Sequence, residues 1–446
     1  MFASLIRNNA NVRHEALITA SATTTWNELA GLTESSIAHL AALARRRVGL
    51  VLGPSATSLA ALAALDHLAC DVFLLDSRLR LDEARELAQD LRLRALIGLS
   101  VDSDPLALEF AREAPATSEG TVTILTSGST GKPKAIRHTW ESLLRPVRLA
   151  TSAARPRWLL SYRPHLYAGV QVILQCFANQ GCLAAPESDA SPLAIAQFMR
   201  DSYVQFASAT ASYWRRLVLF APATVLREVP LVQITLGGEV VDQQILEALR
   251  ANFPQARLVH IYATTELGRC FAVSDGKAGF PISLFDHPTQ EGTELRIEDG
   301  ELLARSRNSM HSYDDYTGAA PSASADWFHT GDMVEIVGDR AFFVSRRSDI
   351  INVGGNKVHP IEVERVIRQV SGVSDVRVYG KRSSIAGELV ACEIVADSRR
   401  DVEEVRNDIQ LRCIGELAPF QRPRLIHFVS EISLERSGKT TRRRRP

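Results

Sequence analysis

Lysine is scarce in this 446-residue chain. Of 51 basic residues only six are Lys (Lys132, Lys134, Lys277, Lys357, Lys381 and Lys439), and the rest are Arg. An Arg bias is most simply compositional. Each remaining Lys therefore marks a place where a compact ammonium could serve better than a planar fork. Excess charge is also missing: 51 acidic residues balance the 51 basic ones. That excludes bulk attraction to nucleic acid or to an anionic membrane as the main driving force. Long apolar runs are missing too. The longest, 58–75, is broken by Asp66, His67 and Asp71 and cannot span a bilayer. The N-terminus has no sustained apolar core and carries charges, so no secretory signal is expected. The six cysteines form no C-x-x-C pair, and the His positions complete no zinc pattern. Scattered Cys in a long chain read as reduced core thiols, which predicts a cytoplasmic protein. Gly (26) and Pro (19) are ordinary, which excludes a collagen-like chain. The length suggests two to four structural units, and 46% hydrophobic residues suffice for a sizeable core.

Short apolar runs alternate with helical spacing through the first 270 residues. Strands are predicted over 48–52, 72–75, 95–99, 158–162, 204–207, 233–236 and 257–262. Helices are predicted over 25–43, 58–70, 81–91, 170–178, 193–201 and 243–252. Alternation of this kind predicts helix-covered, largely parallel sheets. From about 290 the pattern turns to short antiparallel strands at 294–297, 301–306, 333–337 and 340–344, with Asp-Gly and Gly-Asp turns. Beyond 346 a polar, Gly-containing stretch precedes an αβ unit: helix 360–370, strands 373–379 and 389–395, helix 402–411 and strand 424–428. A boundary is expected at 345–350. The terminal Arg442–Arg445 run reads as a solvated tail.

Six motifs carry the chemistry. An apolar strand at 122–126 leads into Thr126, Ser127, Gly128, Ser129, Thr130, Gly131, Lys132, Pro133 and Lys134. Small residues and two Gly let backbone N–H groups turn inward around an anion, and hydroxyls and two Lys add donors. It is not a Walker A loop, because Thr126 stands where that motif needs Gly and Pro133 where it needs Ser or Thr. The second motif is Leu236-Gly237-Gly238-Glu239, where Gly permits close backbone approach. The third, Tyr262-Ala263-Thr264-Thr265-Glu266, sits at a strand end, where open α/β sheets bind ligands. The fourth is Trp327-Phe328-His329-Thr330-Gly331-Asp332. The fifth runs from Ser345-Arg346-Arg347-Ser348-Asp349 through Gly354-Gly355-Asn356-Lys357 to Pro360 and Glu362. Ser437-Gly438-Lys439 follows near the C-terminus. Singly, the second to fourth would be ordinary turns and strand ends.

Together and in this order, they resemble the signature set of the AMP-forming adenylating enzymes: acyl- and aryl-CoA synthetases, carrier-protein adenylation domains and luciferases. The resemblance covers nearly the whole chain and is closest to acyl/aryl-CoA ligases. It implies an α/β fold with a large N-terminal domain (1–346) of helix-covered mixed sheets and a small β-barrel-like part. A small mobile α+β domain (347–446) should follow. It further implies that residues 126–132 and Lys134 cradle phosphates and that Tyr262 stacks on adenine. Gly238 and Glu239 would border the nucleotide. Thr265 would contact the α-phosphate, and Glu266 would help hold Mg²⁺. Asp332 would accept from the ribose hydroxyls, and Arg346 would reach ribose or phosphate. Gly354, Gly355 and Lys357 would line a thiol tunnel, and Lys439 would be the adenylation lysine. Ser345 departs from the usual Gly, and Ser348 stands where relatives carry an Asp or Lys hinge.

The stretch 162–169 resembles the P-x-x-H-x-x-G of acyl- and aryl-CoA ligases, with His165 in the His position. No Asp or Glu occurs between Glu141 and Glu187. An α-amino acid substrate, whose ammonium would need an anion, is therefore disfavoured. The expected pocket residues are His165, Gly169, Gly237, Gly238, Ala263 and Thr264. An aryl or short-to-medium acyl acid is expected, with ATP, Mg²⁺ and coenzyme A as cofactors and no nucleic-acid partner. The alternatives are a freestanding adenylation enzyme loading a carrier protein's phosphopantetheine, and a non-catalytic nucleotide-binding regulator.

Overall fold

The computed structural model describes residues 1–101, 104–109, 120–126, 133–149, 155–314, 327–383, 387–397 and 399–432. The hydroxyl-rich loop 127–132 and Lys439 lie outside the described residues.

Two large mixed sheets build the N-terminal part. The seven-stranded sheet has a parallel centre, ordered Val122–Thr126, Asp71–Asp76, Arg47–Leu52 and Ala95–Val101. Strand Lys134–His138 runs antiparallel to Val122–Thr126, and Ser312–Asp314 caps that edge. Strand Asp71–Asp76 is buried at all six positions, as a central strand covered on both faces must be. Its side chains alternate: Val72 and Leu74 join one apolar cluster, Phe73 and Leu75 another. The eight-stranded sheet is parallel from Arg257–Thr264 through to Glu15–Thr19, and its two edge strands, Gly268–Val273 and Thr23–Thr25, are antiparallel. The two sheets are joined by one apolar cluster built on helices Phe2–Arg7, Trp26–Leu40, Ala56–His67 and Tyr167–Ala178. At its heart the Phe2 ring stacks on Trp140 at 5.4 Å and Phe177 at 5.9 Å.

Helix starts follow local chemistry. Thr25 and Glu28 form a reciprocal capping box, and Ser55, Ser191, Thr210 and Asp242 each cap a helix N-terminus. Helix ends are less ordinary. Ala69, Arg92, Gln180 and Tyr203 follow helices in the left-handed region where Gly is usual. The helix expected over 58–70 accordingly stops at His67.

A buried charge cluster pins the edge of the seven-stranded sheet. The Asp314 carboxylate takes Arg47 at 3.0 Å and also Arg137, and the Arg47 and Asp314 side chains are wholly excluded from solvent. Arg47 also donates to the Leu91 carbonyl and lies over the Phe73 ring.

A five-stranded antiparallel sheet follows, ordered from Phe280–Pro281 through Arg340–Arg346, Phe328–Val337 and Glu301–Arg305 to Glu294–Glu298. A second five-stranded sheet with helices Pro360–Arg368 and Val402–Glu416 has its own core around Val363, Ile367, Val378, Ile394 and Ile409. The architecture is the expected one: a large N-terminal part of mixed sheets and a small C-terminal α+β domain. The expected sequence reading missed the antiparallel edge strands and helix Ala211–Phe220.

Candidate active site

The carboxyl end of strand Arg257–Thr264 delivers residues 262–266 to the rim of the eight-stranded sheet. There the Tyr262 hydroxyl donates to Asp332 Oδ2 at 2.7 Å, and Arg346 Nε donates to Oδ1 at 2.9 Å. Residues 70 and 14 positions from Asp332 thus meet on one carboxylate. A carboxylate has about four lone-pair positions, so a ligand diol can still be received. The Tyr262 ring stacks on Phe271 at 5.3 Å and Phe343 at 5.0 Å. Burial, and then the Asp332 charge, hold the Tyr262 hydroxyl well above its ordinary pKa, so it remains a donor. Asp332 raises the pKa of Arg346 against burial. The turn before Asp332 is also fixed. Thr330 Oγ1 donates to the Leu302 carbonyl and accepts from Asp332 N, while buried Glu301 accepts from Gly331 N at 2.8 Å and pairs with Arg347 at 2.8 Å. Glu301 carried no signal in the sequence beyond its place in a strand.

The turn after Tyr262 is tied down on both sides. Thr264 Oγ1 accepts from Leu267 N at 3.0 Å, and the Glu266 carbonyl accepts from Met310 N at 2.7 Å. Thr126 pairs with Lys134, so the strands on either side of residues 127–132 are hydrogen-bonded to each other up to that point. Lys134 is exposed there. Among the described residues no three His, Cys, Asp or Glu side chains gather as a metal site. The Glu266 carboxylate and Thr265 hydroxyl are hard oxygen donors. They suit Mg²⁺, which commonly takes one or two carboxylates and fills its shell with phosphate and water oxygens.

The residues expected to face the acid are closely packed. The Tyr162 hydroxyl donates to the Gly237 carbonyl at 3.0 Å, and a Cβ on Gly237 would lie 2.9 Å from Ile261 Cγ1. Gly238 adopts φ +84°, and Glu239 accepts from Ser212 N in the first turn of helix Ala211–Phe220. A Cβ on Gly169 would lie 2.0 Å from the Arg163 carbonyl oxygen, so only Gly lets helix Tyr167–Ala178 approach this loop. Ala263 and Thr264 are half-buried. His165 is buried, and its Nδ1 has no hydrogen-bond partner among the described residues. Burial lowers its pKa to about 4, opposed by Asp76 and aided by Arg78, so the ring is neutral at pH 7. Asp76 is the acidic neighbour that the stretch 142–186 could not reveal. It is already clamped by Arg78 at 2.9 Å and Arg163 at 3.2 Å.

Comparison with known proteins decides what this arrangement belongs to. The profile described as AMP-binding enzyme matches residues 6–313. The chain belongs to the AMP-binding enzyme family. The profile of the AMP-binding enzyme C-terminal domain matches residues 362–439. Among similar proteins is a 2-succinylbenzoate–CoA ligase of Listeria monocytogenes, 27% identical over 355 residues, covering 74% of this chain and 72% of that one. Another is 4-coumarate–CoA ligase 3 of Arabidopsis thaliana, 24% identical over 348 residues, covering 71% and 61%. The solved benzoate CoA ligase of Burkholderia xenovorans shares the fold, with a TM-score of 0.80 at 18% identity, over 99% of this chain and 98% of that one.

In this AMP-binding enzyme the stretch with Gly354 and Gly355 is a β-hairpin. Strands Ile351–Val353 and Asn356–Val358 pair directly, and both Gly have positive φ, +55° and +87°. Two consecutive positive φ values are what a two-residue type I′ turn requires. Lys357 is exposed on the returning strand. Ser345, standing for the usual Gly, is buried, and its hydroxyl lies 2.7 Å from His359 Nδ1. Ser348 is exposed and donates to its neighbour Asp349.

Proposed function

We propose that the chain is an AMP-forming acid–thiol ligase. A carboxylic acid's oxygen attacks the α-phosphorus of ATP, and the bond to pyrophosphate breaks. A thiolate then attacks the acyl carbon and AMP leaves with the carboxyl oxygen. The observation that carries this reading is the Tyr262–Asp332–Arg346 junction beside residues 264–266. One ionised carboxylate is held with spare acceptor capacity where a strand end also brings a hydroxyl and a second carboxylate.

In this reading Asp332 receives the ribose and Arg346 reaches ribose or phosphate. Tyr262 borders adenine, as do Gly238 and Glu239. Residues 126–132 and Lys134 cradle the phosphates. Thr265 contacts the α-phosphate, and Glu266 holds Mg²⁺, which supplies charge neutralisation when bound. Lys439 stabilises the charge developing between carboxylate and α-phosphate. Residues 1–346 form the adenylation domain and 347–446 the mobile domain, whose Gly354–Gly355 hairpin and Lys357 line the thiol path. The similar CoA ligases support coenzyme A as the thiol, with a carrier protein's phosphopantetheine as the alternative acceptor. No helix among the described residues is long and apolar enough to cross a membrane. All six cysteines are free and buried, which supports a reducing, cytoplasmic setting.

His165, Gly169, Gly237, Gly238, Ala263 and Thr264 form the acid pocket. Neutral His165 and the clamped Asp76 offer no free anion for an ammonium. An aryl or short acyl acid should therefore release pyrophosphate faster than any α-amino acid. The test is pyrophosphate release over a carboxylic-acid panel, with and without coenzyme A and with nucleotide products identified. Stoichiometric ADP would overturn the reaction, and an α-amino acid with the highest kcat/KM would overturn the pocket.

A further inference from the structure

Strand Lys134–His138 carries the chain out of the hydroxyl-rich loop and ends on a histidine with no solvent exposure. His138 Nε2 lies 2.8 Å from the carbonyl oxygen of Thr265, 127 residues away. A carbonyl can only accept, so Nε2 carries the proton and Nδ1 is left as the acceptor. Nδ1 faces the Ser142 hydroxyl at 3.2 Å, and that hydroxyl also reaches the Thr139 carbonyl at 2.9 Å. The Tyr167 ring lies against the imidazole, centroids 5.5 Å apart. A second tie runs beside the first. Met310 N donates to the Glu266 carbonyl at 2.7 Å, and the next residue, His311, donates its N–H to the Arg137 carbonyl at 2.8 Å. Residues 137–138 and 265–266 are thus joined through two consecutive carbonyls.

We infer that His138 is a positioning residue: its Nε2–H fixes the Thr265–Glu266 peptide in register with the strand that closes the hydroxyl-rich loop. The peptide is planar, so holding its carbonyl also sets the direction of the Glu266 N–H and places the two flanking Cα atoms. The loop strand and the Thr265–Glu266 turn come from different sheets. Without a cross-tie each could shift independently, and a small misplacement of such groups lowers affinity and rate. A space-filling imidazole would need no particular acceptor, whereas this one has its tautomer dictated by Thr265. The inference rests on the proposed function, because it takes residues 264–266 and the loop to bind one nucleotide.

The test uses the full chain as wild type, His138→Leu and His138→Gln. Leu fills similar space and removes the donor, while the Gln amide can return an N–H to the Thr265 carbonyl. Three quantities are measured: thermal midpoint, calorimetric Kd for α,β-methylene-ATP, and KM values in acid-dependent pyrophosphate release. His138→Leu should weaken analogue binding and raise KM for ATP by about tenfold, the scale of one buried hydrogen bond. Its KM for the acid should move by less than about twofold, since uniform damage to the fold would raise both. His138→Gln should recover most of the ATP effect. If the Leu variant does not fold, His138→Asn, whose shorter amide falls short of Thr265, takes its place beside Gln. A folded variant without the donor that binds the analogue like wild type overturns the inference. So does a Gln variant as impaired as Leu. Wild type that binds the analogue but releases pyrophosphate with no acid overturns the proposed reaction only, and the binding data still decide the role of His138. Wild type that binds no nucleotide overturns both.

Discussion

The rim around Asp332 and the wall around His165 are built on opposite plans. At the rim, polar groups are bonded to polar groups: Tyr262 and Arg346 to Asp332, Thr330 to Leu302, Glu301 to Gly331 and Arg347. At the wall, beside the Tyr162–Gly237 hydrogen bond and the clamped Asp76, close steric contacts set the shape. Gly169 and Gly237 leave no room for a Cβ, and the buried His165 Nδ1 is unpaired among the described residues. A preorganised polar rim suits a ligand part that does not vary, the nucleotide. A wall defined by shape can be altered by small substitutions without disturbing the rim, so acid selectivity should reside there.

The comparison can be broken most decisively from the far end of the chain. Lys439→Ala should cost about 10²–10³ in acyl-AMP formation from acid and ATP, the scale of one lost charge-stabilising donor. The same variant given synthetic acyl-AMP and thiol should form thioester at near wild-type rate. Equal loss in both half-reactions would remove Lys439 from the adenylation step. Asp332→Asn comes next. It keeps the shape but loses the charge that Arg346 and a ribose would meet, so KM for ATP should rise about 10–100-fold. KM for the acid should stay nearly fixed, and a parallel rise in both would show that rim and wall are one energetic unit.

The wall responds through packing. Gly169→Ala drives a methyl into the Arg163 carbonyl and should cost about 1–3 kcal/mol of stability, the range of core overpacking. It should also shift acid preference, and denaturant titration with the acid panel measures both effects. An unchanged midpoint would show that the loop at 163–164 yields freely.

The smallest effect per residue is in pH. Burial lowers His165 and His138 to about 4, against an ordinary value near 6.5. The unfolded chain therefore binds more protons between these values. This share of stability is full above about pH 6.5 and is lost as pH falls towards 4, by about 1–2 kcal/mol per group between pH 7 and 5. Denaturation midpoints at pH 7 and 5 should show it, and His165→Asn should flatten the slope. An unchanged slope in that variant would mean the wall holds His165 less tightly than its burial implies.

Much of this was legible in sequence because the central strands are continuous apolar runs and the helices between them carry 3.6-residue spacing. Val48 to Leu52 and Val72 to Leu75 read as strands and are strands. The edges were not legible. Thr23–Thr25 and Gly268–Val273 owe their extended form to a neighbouring strand, which a single sequence does not display. Helix Ala211–Phe220, rich in aromatics and Arg, lacks a strong propensity signal, and its Thr210 cap is the one local cue to its start. At the site, motifs identified Tyr262, Asp332 and Arg346 singly. That two of them converge on the third, or that His138 reaches Thr265, depends on pairings across 70 and 127 residues. The type I′ hairpin at Gly354-Gly355 was within reach, since consecutive Gly between short apolar strands is its ordinary signal.

The Arg47–Asp314–Arg137 cluster constrains the chain's history. Replacing Asp314 alone would leave two buried guanidinium groups without their shared counter-ion, and removing one buried partner of such a set typically costs about 3–5 kcal/mol. Replacing all three with apolar residues of matching volume can be neutral. The two endpoints are therefore both viable, but every single step between them is penalised. A lineage carrying this triad is expected to keep it whole or lose it whole, so these three positions should change together across descendants even though they are spread over 267 residues.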